Sequence, residues 1–270
     1  MKYKSIFALT LLVAVPALAQ LDITWVSQRS GLDTNSCTIA HPCKTFSGAY
    51  ANTNSGGIIK ALDAGEYGTI NIAKPITIDG NGVGASIDVT STATGVSAFT
   101  VVGLIEIRNL AIHVAASCSF CNGIEVNSST VSIENVSITG TPTVGVIVGN
   151  GTYTIHGLTV TGATNSGILV ESATATISDS TVRYSTIGIL VEGLFSVTQA
   201  LIERSKMISN TTGLEVDNAG FAATARISDC VITGNTTGLS TAGGQVITFR
   251  NNTWAGNTTD GTTPFSISLK

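Results

Sequence analysis

Apolar and polar residues alternate along most of this chain in short runs, divided by Gly, Asn, Asp, Ser and Thr. Gly123 to Val126, Val131 to Ile133 and Val136 to Ile138 set Val and Ile at alternate positions, the period of a strand with one buried face. Three such runs predict three strands, after which the pattern restarts. Gly-apolar-x-Val recurs at Gly123, Gly145, Gly167, Gly188 and Gly213, with a degraded copy at Gly238, at spacings of 22, 22, 21, 25 and 25 residues. A second motif, apolar-x-(Asn/Asp/Gly), runs in step with it. Its copies begin at Ile107, Ile133, Ile155, Ile177, Ile202, Ile227 and Phe249, spaced 22, 22, 25, 25 and 22 residues apart from Ile133 onward. Two markers keeping one period identify a repeat protein. The Asn, Asp or Gly of the second motif tolerates the left-handed backbone that a sharp bend between strands demands. One three-strand coil cannot bury its apolar face, whereas stacked coils bury a continuous column.

Other segments set the boundaries. Lys2 and Lys4, the apolar run from Ile6 to Val15 and Ala17-Leu18-Ala19 read as a cleaved secretory signal over residues 1–19, with Gln20 at the mature start and export as the expected destination. Residues 20–80 read as an N-terminal cap with the first coils, 81–257 as the repeated coils, and 258–270 as a tail or cap. Without Lys2 and Lys4, 11 basic side chains face 17 acidic ones, a net charge near −6. No basic patch exists, which argues against nucleic acid as a partner. No later stretch has the roughly 20 continuous apolar residues of a membrane helix.

The repeat length, the alternating strands and the opening segments Thr24-Trp25-Val26-Ser27, Pro42-Cys43-Lys44-Thr45-Phe46, Gly65-Glu66-Tyr67-Gly68 and Ile76-Thr77-Ile78-Asp79-Gly80 resemble secreted bacterial proteins of the pectate-lyase-like superfamily. That resemblance implies an all-β, right-handed parallel β-helix with a short capping helix, here from about Pro42 to Ala51 with Phe46, Ala49 and Tyr50 against the column. It also implies acidic polysaccharides as substrates, cleaved by elimination or hydrolysis. The machinery does not carry over residue by residue. The Asn-Thr-Asp, Asp-Asp, Gly-His-Gly and Arg-Ile-Lys motifs of polygalacturonase-like members are absent, and Ile155-His156-Gly157 lacks the first glycine. The calcium-dependent lyase pattern would need Glu171, Glu192 and Asp217 beside Arg183, Arg204 or Lys206.

Candidate chemistry comes from aligning the coils, because matching residues stack about 4.8 Å apart. The position after Gly-apolar-x-Val is Asn127, Gly149, Glu171, Glu192 and Asp217, so three successive coils stack carboxylates. Such a row repels itself, which raises pKa values or recruits a cation such as calcium. The Gly188 and Gly213 coils are lengthened directly after Glu192 and Asp217, and their loops carry Phe195 and Phe221. These five residues are the candidate ligand site, with solvated turn carboxylates and inward-folded rings as the alternative. In the outward slot before them, Ile147, Leu169 and Leu190 make an apolar stripe. Arg108, Glu134, His156, Ser178, Glu203, Ser228 and Arg250 read as an exposed ladder of mixed charge, and Cys230 as a buried thiol. Cys37 with Cys43, and Cys118 with Cys121, are candidate local disulfides in an exported chain. The sequons at Asn127, Asn135, Asn150, Asn210, Asn235, Asn251 and Asn257 read as turn chemistry. The expected function is binding of glycan or cell-surface material, with polysaccharide cleavage and a structural or adhesive role as alternatives.

Overall fold

The computed structural model describes residues 20–91, 94–128 and 130–266. Residues 1–19, expected to be a secretory signal, and 267–270, the end of the expected tail, lie outside the described residues. All strand pairings within the two sheets are parallel, and each strand pairs with its counterpart one coil away. The first run of each coil joins a nine-stranded sheet, and the other two form a seventeen-stranded sheet. In the early coils those two runs are one bent strand, as in Thr130–Gly140; later they separate, as in Thr152–His156 and Thr159–Thr161.

The bend lies where the second motif places it. Asn109, Asn135, Asp179, Asp229 and Gly157 all have φ between 51° and 63°. Arg204 holds the same conformation at 46° without the short side chain that normally tolerates it. Its guanidinium is anchored by two hydrogen bonds to Asp179 on the preceding coil, at 3.0 and 2.9 Å. In the last copy the left-handed residue is Arg250 rather than Asn251.

Inside the coils, like side chains stack on like. Ile78, Ile107, Ile133, Ile155, Ile177, Ile202 and Ile227 form one fully buried file, and Val126, Val148, Val170, Val191 and Val216 another. Burying one such side chain contributes roughly 1.5–3 kcal/mol before conformational entropy is offset. The motif glycines have a packing role. A Cβ on Gly123, Gly145, Gly167, Gly188 or Gly213 would lie 2.4–2.8 Å from the carbonyl oxygen of the next motif glycine, so the coils close up at this corner only with glycine. Asn210 and Asn235 are also buried and stacked: the Asn210 amide donates to Asn235 Oδ1 at 2.8 Å, and Asn235 Nδ2 to the Met207 carbonyl at 3.0 Å. These sequon side chains are therefore structural, and no glycan can be attached without dismantling the ladder.

The capping helix runs Phe46–Asn52, with Phe46 and Ala49 buried on the column and Tyr50 only half-buried. It starts later than the expected Pro42 because Cys43 is held as strand, bridged to Val26, while Asp33 accepts from the amides of Lys44 and Thr45. Thr45 is the N-cap, accepting from the Gly48 amide at 2.9 Å. Beneath it Asp63 takes hydrogen bonds from Ser27, Tyr67 and the Gln28 amide. At the far end, Thr259–Gly261 and Phe265–Ser266 add a strand to each sheet.

Both close cysteine pairs are disulfides, Cys37–Cys43 and Cys118–Cys121, and Cys230 is a buried thiol whose pKa burial pushes up. His156 Nδ1 lies 3.3 Å from Asp179 within the exposed ladder, though Ser178 of that ladder is buried.

Candidate functional site

The carboxylate row exists in register. Gly149 pairs with Glu171, Glu171 with Glu192, and Glu192 with Asp217 on adjacent strands of the nine-stranded sheet. Backward the row continues through Asn127 to Phe99. The neighbouring outward row is Ser97, Glu125, Ile147, Leu169, Leu190, Glu215 and Ser240, so Glu125 and Glu215 bracket the half-buried apolar stripe. Five carboxyl groups share this face. Burial, and after it the charge of Glu125, raise the pKa of Glu171. Burial, then Glu171, Asp217 and Glu215, raise that of Glu192, and burial with Asp217 raises that of Glu215.

A cleft of about 170 Å³ opens at one end of this face. Glu125 and Glu171 stand on it, Gly149 lies between, and the rings of Phe99 and Phe195 project beside it. Glu125 is held by Asn122 Nδ2 at 3.0 Å and Thr94 Oγ1 at 3.3 Å. Gly149 interrupts a row of larger side chains. A Cβ there would meet its nearest neighbour at 3.5 Å, so a side chain can be restored at this buried glycine at the base of the cleft. Below the floor, the buried hydroxyl of Tyr153 donates to the Gly149 carbonyl and accepts from the Ser128 amide.

The lengthened coils divide the expected site. Ser172, left-handed at φ 55°, presents its hydroxyl to the amides of Phe195 and Ser196 at 2.8 and 3.2 Å, which folds the first loop back beside Glu171. The second loop rests on the first, with the Phe221 amide bonded to the Gly193 carbonyl at 2.7 Å. Phe195 and Glu171 therefore line the cleft. Glu192, Asp217 and the exposed Phe221 continue the face beyond it. Two lining residues, Glu125 and Phe99, escape a sequence reading centred on the acidic row. Phe99 ends Gly95-Val96-Ser97-Ala98, a motif copy hidden by Ala in place of Val.

Among the described residues, no three of His, Cys, Asp and Glu form a group placed to hold a metal ion, the carboxylates of the row standing side by side on adjacent strands. Arg183, Arg204 and Lys206 belong to strands or bends of the other sheet, so no base stands beside the carboxylates as in the calcium-dependent pattern.

Comparison with known proteins bears on the fold. The family described as the right-handed β-helix region matches residues 122–266, more than half of the chain. The chain belongs to that family. Among solved structures this β-helix is similar to pectate lyase Pel9A, at 15% identity and a TM-score of 0.51, over 86% of this chain and 78% of that one. A rhamnogalacturonan lyase aligns at 10% identity and TM-score 0.44 over 77% and 74% of the two chains. The lacto-N-biosidase of family GH136 from Eubacterium ramulus aligns at 10% and 0.42 over 92% and 68%. No curated protein matches the sequence. Among the described residues, no helix is long and apolar enough to cross a membrane.

Proposed function

We propose that this β-helix binds a neutral, hydroxyl-rich glycan in the cleft above Gly149. The observation that carries the reading is the pairing of two exposed rings, Phe99 and Phe195, with two carboxyl groups, Glu125 and Glu171, around a cleft floored by glycine. A pyranose has apolar C–H faces that stack on aromatic rings and hydroxyls that donate to carboxylates. An acidic polymer fits worse. Glu192, Glu215 and Asp217 extend the negative charge beyond the cleft, and no basic side chain lines it. The likeness to pectate lyase Pel9A extends to the fold alone, so the reading rests on the cleft's own chemistry.

Affinity electrophoresis through neutral, uronic-acid and amino-sugar polysaccharides, with calcium and with chelator, tests it. Retention should occur on a neutral polymer, be indifferent to calcium, and be lost in Gly149→Val, whose side chain fills the floor. Retention on uronic-acid polymers in calcium alone would refute it.

Hydrolysis is the second reading, because burial beside Glu125 holds a proton on Glu171 to higher pH, as a general acid requires. New reducing ends released by the wild type and not by Glu171→Gln would establish it. Export of the mature chain is proposed from residues 1–19, and the two disulfides agree with an oxidising compartment. Mass spectrometry of the expressed protein should find Gln20 at the N-terminus.

A further inference from the structure

Along the opposite edge of the nine-stranded sheet, where the chain enters its strands, the coils stack a second row. Thr143, Thr164, Thr186, Thr211, Thr236 and Thr258 occupy equivalent positions. The amide of each from Thr164 onward bonds to the carbonyl before the matching threonine one coil back, at 2.8–3.2 Å. The five from Thr164 to Thr258 are exposed. Two cavities of about 600 and 420 Å³ run along this corner and share Thr164 as a common wall, and no charged side chain lines either. Six rungs at strand spacing span roughly 24 Å.

Two aromatic residues stand in the groove. Tyr184 has φ 57° and Phe120 has φ 61°, a left-handed conformation that is costly for a bulky residue. At the turn position of Tyr184 the neighbouring coils carry Gly162, Ser209 and Gly234, which suit that backbone or leave space around it. Tyr184 is nonetheless 63% exposed, with the Arg183 guanidinium at 5.7 Å from its ring centroid. Phe120, set between the disulfide-bonded Cys118 and Cys121, is 87% exposed. Neither ring contributes to the buried column, so packing does not account for them. Thr141 lines the Phe120 end of the groove, and its buried Oγ1 has no hydrogen-bond partner.

We propose that this corner is a second carbohydrate surface, which takes an extended neutral polysaccharide lying along the axis of the helix. Threonine hydroxyls recur at the strand repeat, close to the length of one β-linked pyranose residue; those of Thr164 and Thr186 donate to the Pro142 and Thr164 carbonyls and so face a sugar as acceptors. Tyr184 and Phe120 offer stacking faces, and the residues lining the two cavities carry no charge, with Arg183 standing over one face of the Tyr184 ring. The groove and the Gly149 cleft lie on opposite edges of the sheet, so one can be tested with the other closed.

In a Gly149→Val/Phe195→Ala background, titration calorimetry should still detect binding of a neutral hexasaccharide from a cello-, xylo- or chito-oligosaccharide series, and not of its disaccharide. Adding Tyr184→Gly, which supplies the residue favoured at this turn and so preserves the fold, should weaken hexasaccharide binding about tenfold, the loss of one stacking platform. Absence of hexasaccharide binding in the cleft-closed background would overturn the proposal, as would affinity unchanged by Tyr184→Gly. Failure of the wild type to bind the disaccharide would instead count against the cleft alone.

Discussion

Glu192 stands between Glu171 and Asp217 on adjacent strands, with Glu215 on the neighbouring row. Burial and these three charges, in that order, raise its pKa, and no hydrogen bond to its carboxylate opposes them. Glu192→Gln removes the charge and keeps the shape. Like charges directly opposed across strands cost on the order of 0.2–1 kcal/mol each. Removing two such pairs, with partial relief of desolvation, should stabilise the protein by roughly 1–2 kcal/mol at neutral pH. For a domain of this size that is a Tm rise of about 2–8 °C. A carboxyl group whose folded pKa is raised contributes stability below its unfolded pKa and loses it as pH rises through the folded value. The gain from Gln should therefore be near zero at pH 4, appear as pH rises above the ordinary value of 4.5, and be complete at neutral pH. Salt should shrink it, because the group is half-exposed. Thermal unfolding followed by circular dichroism at acid and neutral pH, at two ionic strengths, with calcium and with chelator, measures all of this. A Tm unchanged or lowered at neutral pH would refute the repulsion account. A Tm lowered only in calcium would mean that the row gathers a cation after all.

Three further substitutions test the packing. Gly145→Ala puts a Cβ 2.4 Å from the Gly167 carbonyl and 2.6 Å from Val160, and should cost about 1–3 kcal/mol in denaturant unfolding. Asn235→Ala leaves the Asn210 amide and the Met207 carbonyl unpaired inside the helix, about 1–3 kcal/mol for each group left unsatisfied. Asp63→Asn should destabilise at neutral pH by about 1.5–3 kcal/mol. Burial opposes the Asp63 charge, but hydrogen bonds from Ser27, Tyr67 and backbone amides outweigh it and lower its pKa from 3.8 to about 2. Its stabilisation is present above 3.8 and lost as pH falls towards 2, so the wild type should show an acid limb in its stability profile that Asp63→Asn lacks.

The coils were legible because a solenoid repeats its constraints. The second motif marks the bends at Asn109, Asn135, Gly157, Asp179 and Asp229, and the Gly-apolar-x-Val copies mark the nine-stranded sheet. Register followed from the same count, and with it the stacked Glu171, Glu192 and Asp217. What stayed hidden depends on contacts rather than period. Alignment could not show that Ser172 folds the Phe195 loop back towards Glu171 while the Phe221 loop rests on the coil before it. Phe99 belongs to a coil whose motif has drifted, and Glu125 matters through its place beside Gly149. The threonine row escaped notice because each rung sits in a turn between strands, outside the alternation that reveals the sheets. The left-handed conformations of Tyr184 and Phe120 are likewise visible only in the backbone.

The account turns on a sugar bound between Phe99 and Phe195, and the most direct measurement is a crystal structure of the protein soaked with a neutral oligosaccharide retained in the electrophoretic panel. The expected result is a pyranose over Gly149, stacked on one or both rings, with hydroxyls within hydrogen-bond distance of Glu125 and Glu171. A sugar ordered against Glu192, Asp217 and Phe221 through a bound calcium ion, with the Gly149 cleft holding only water, would contradict it.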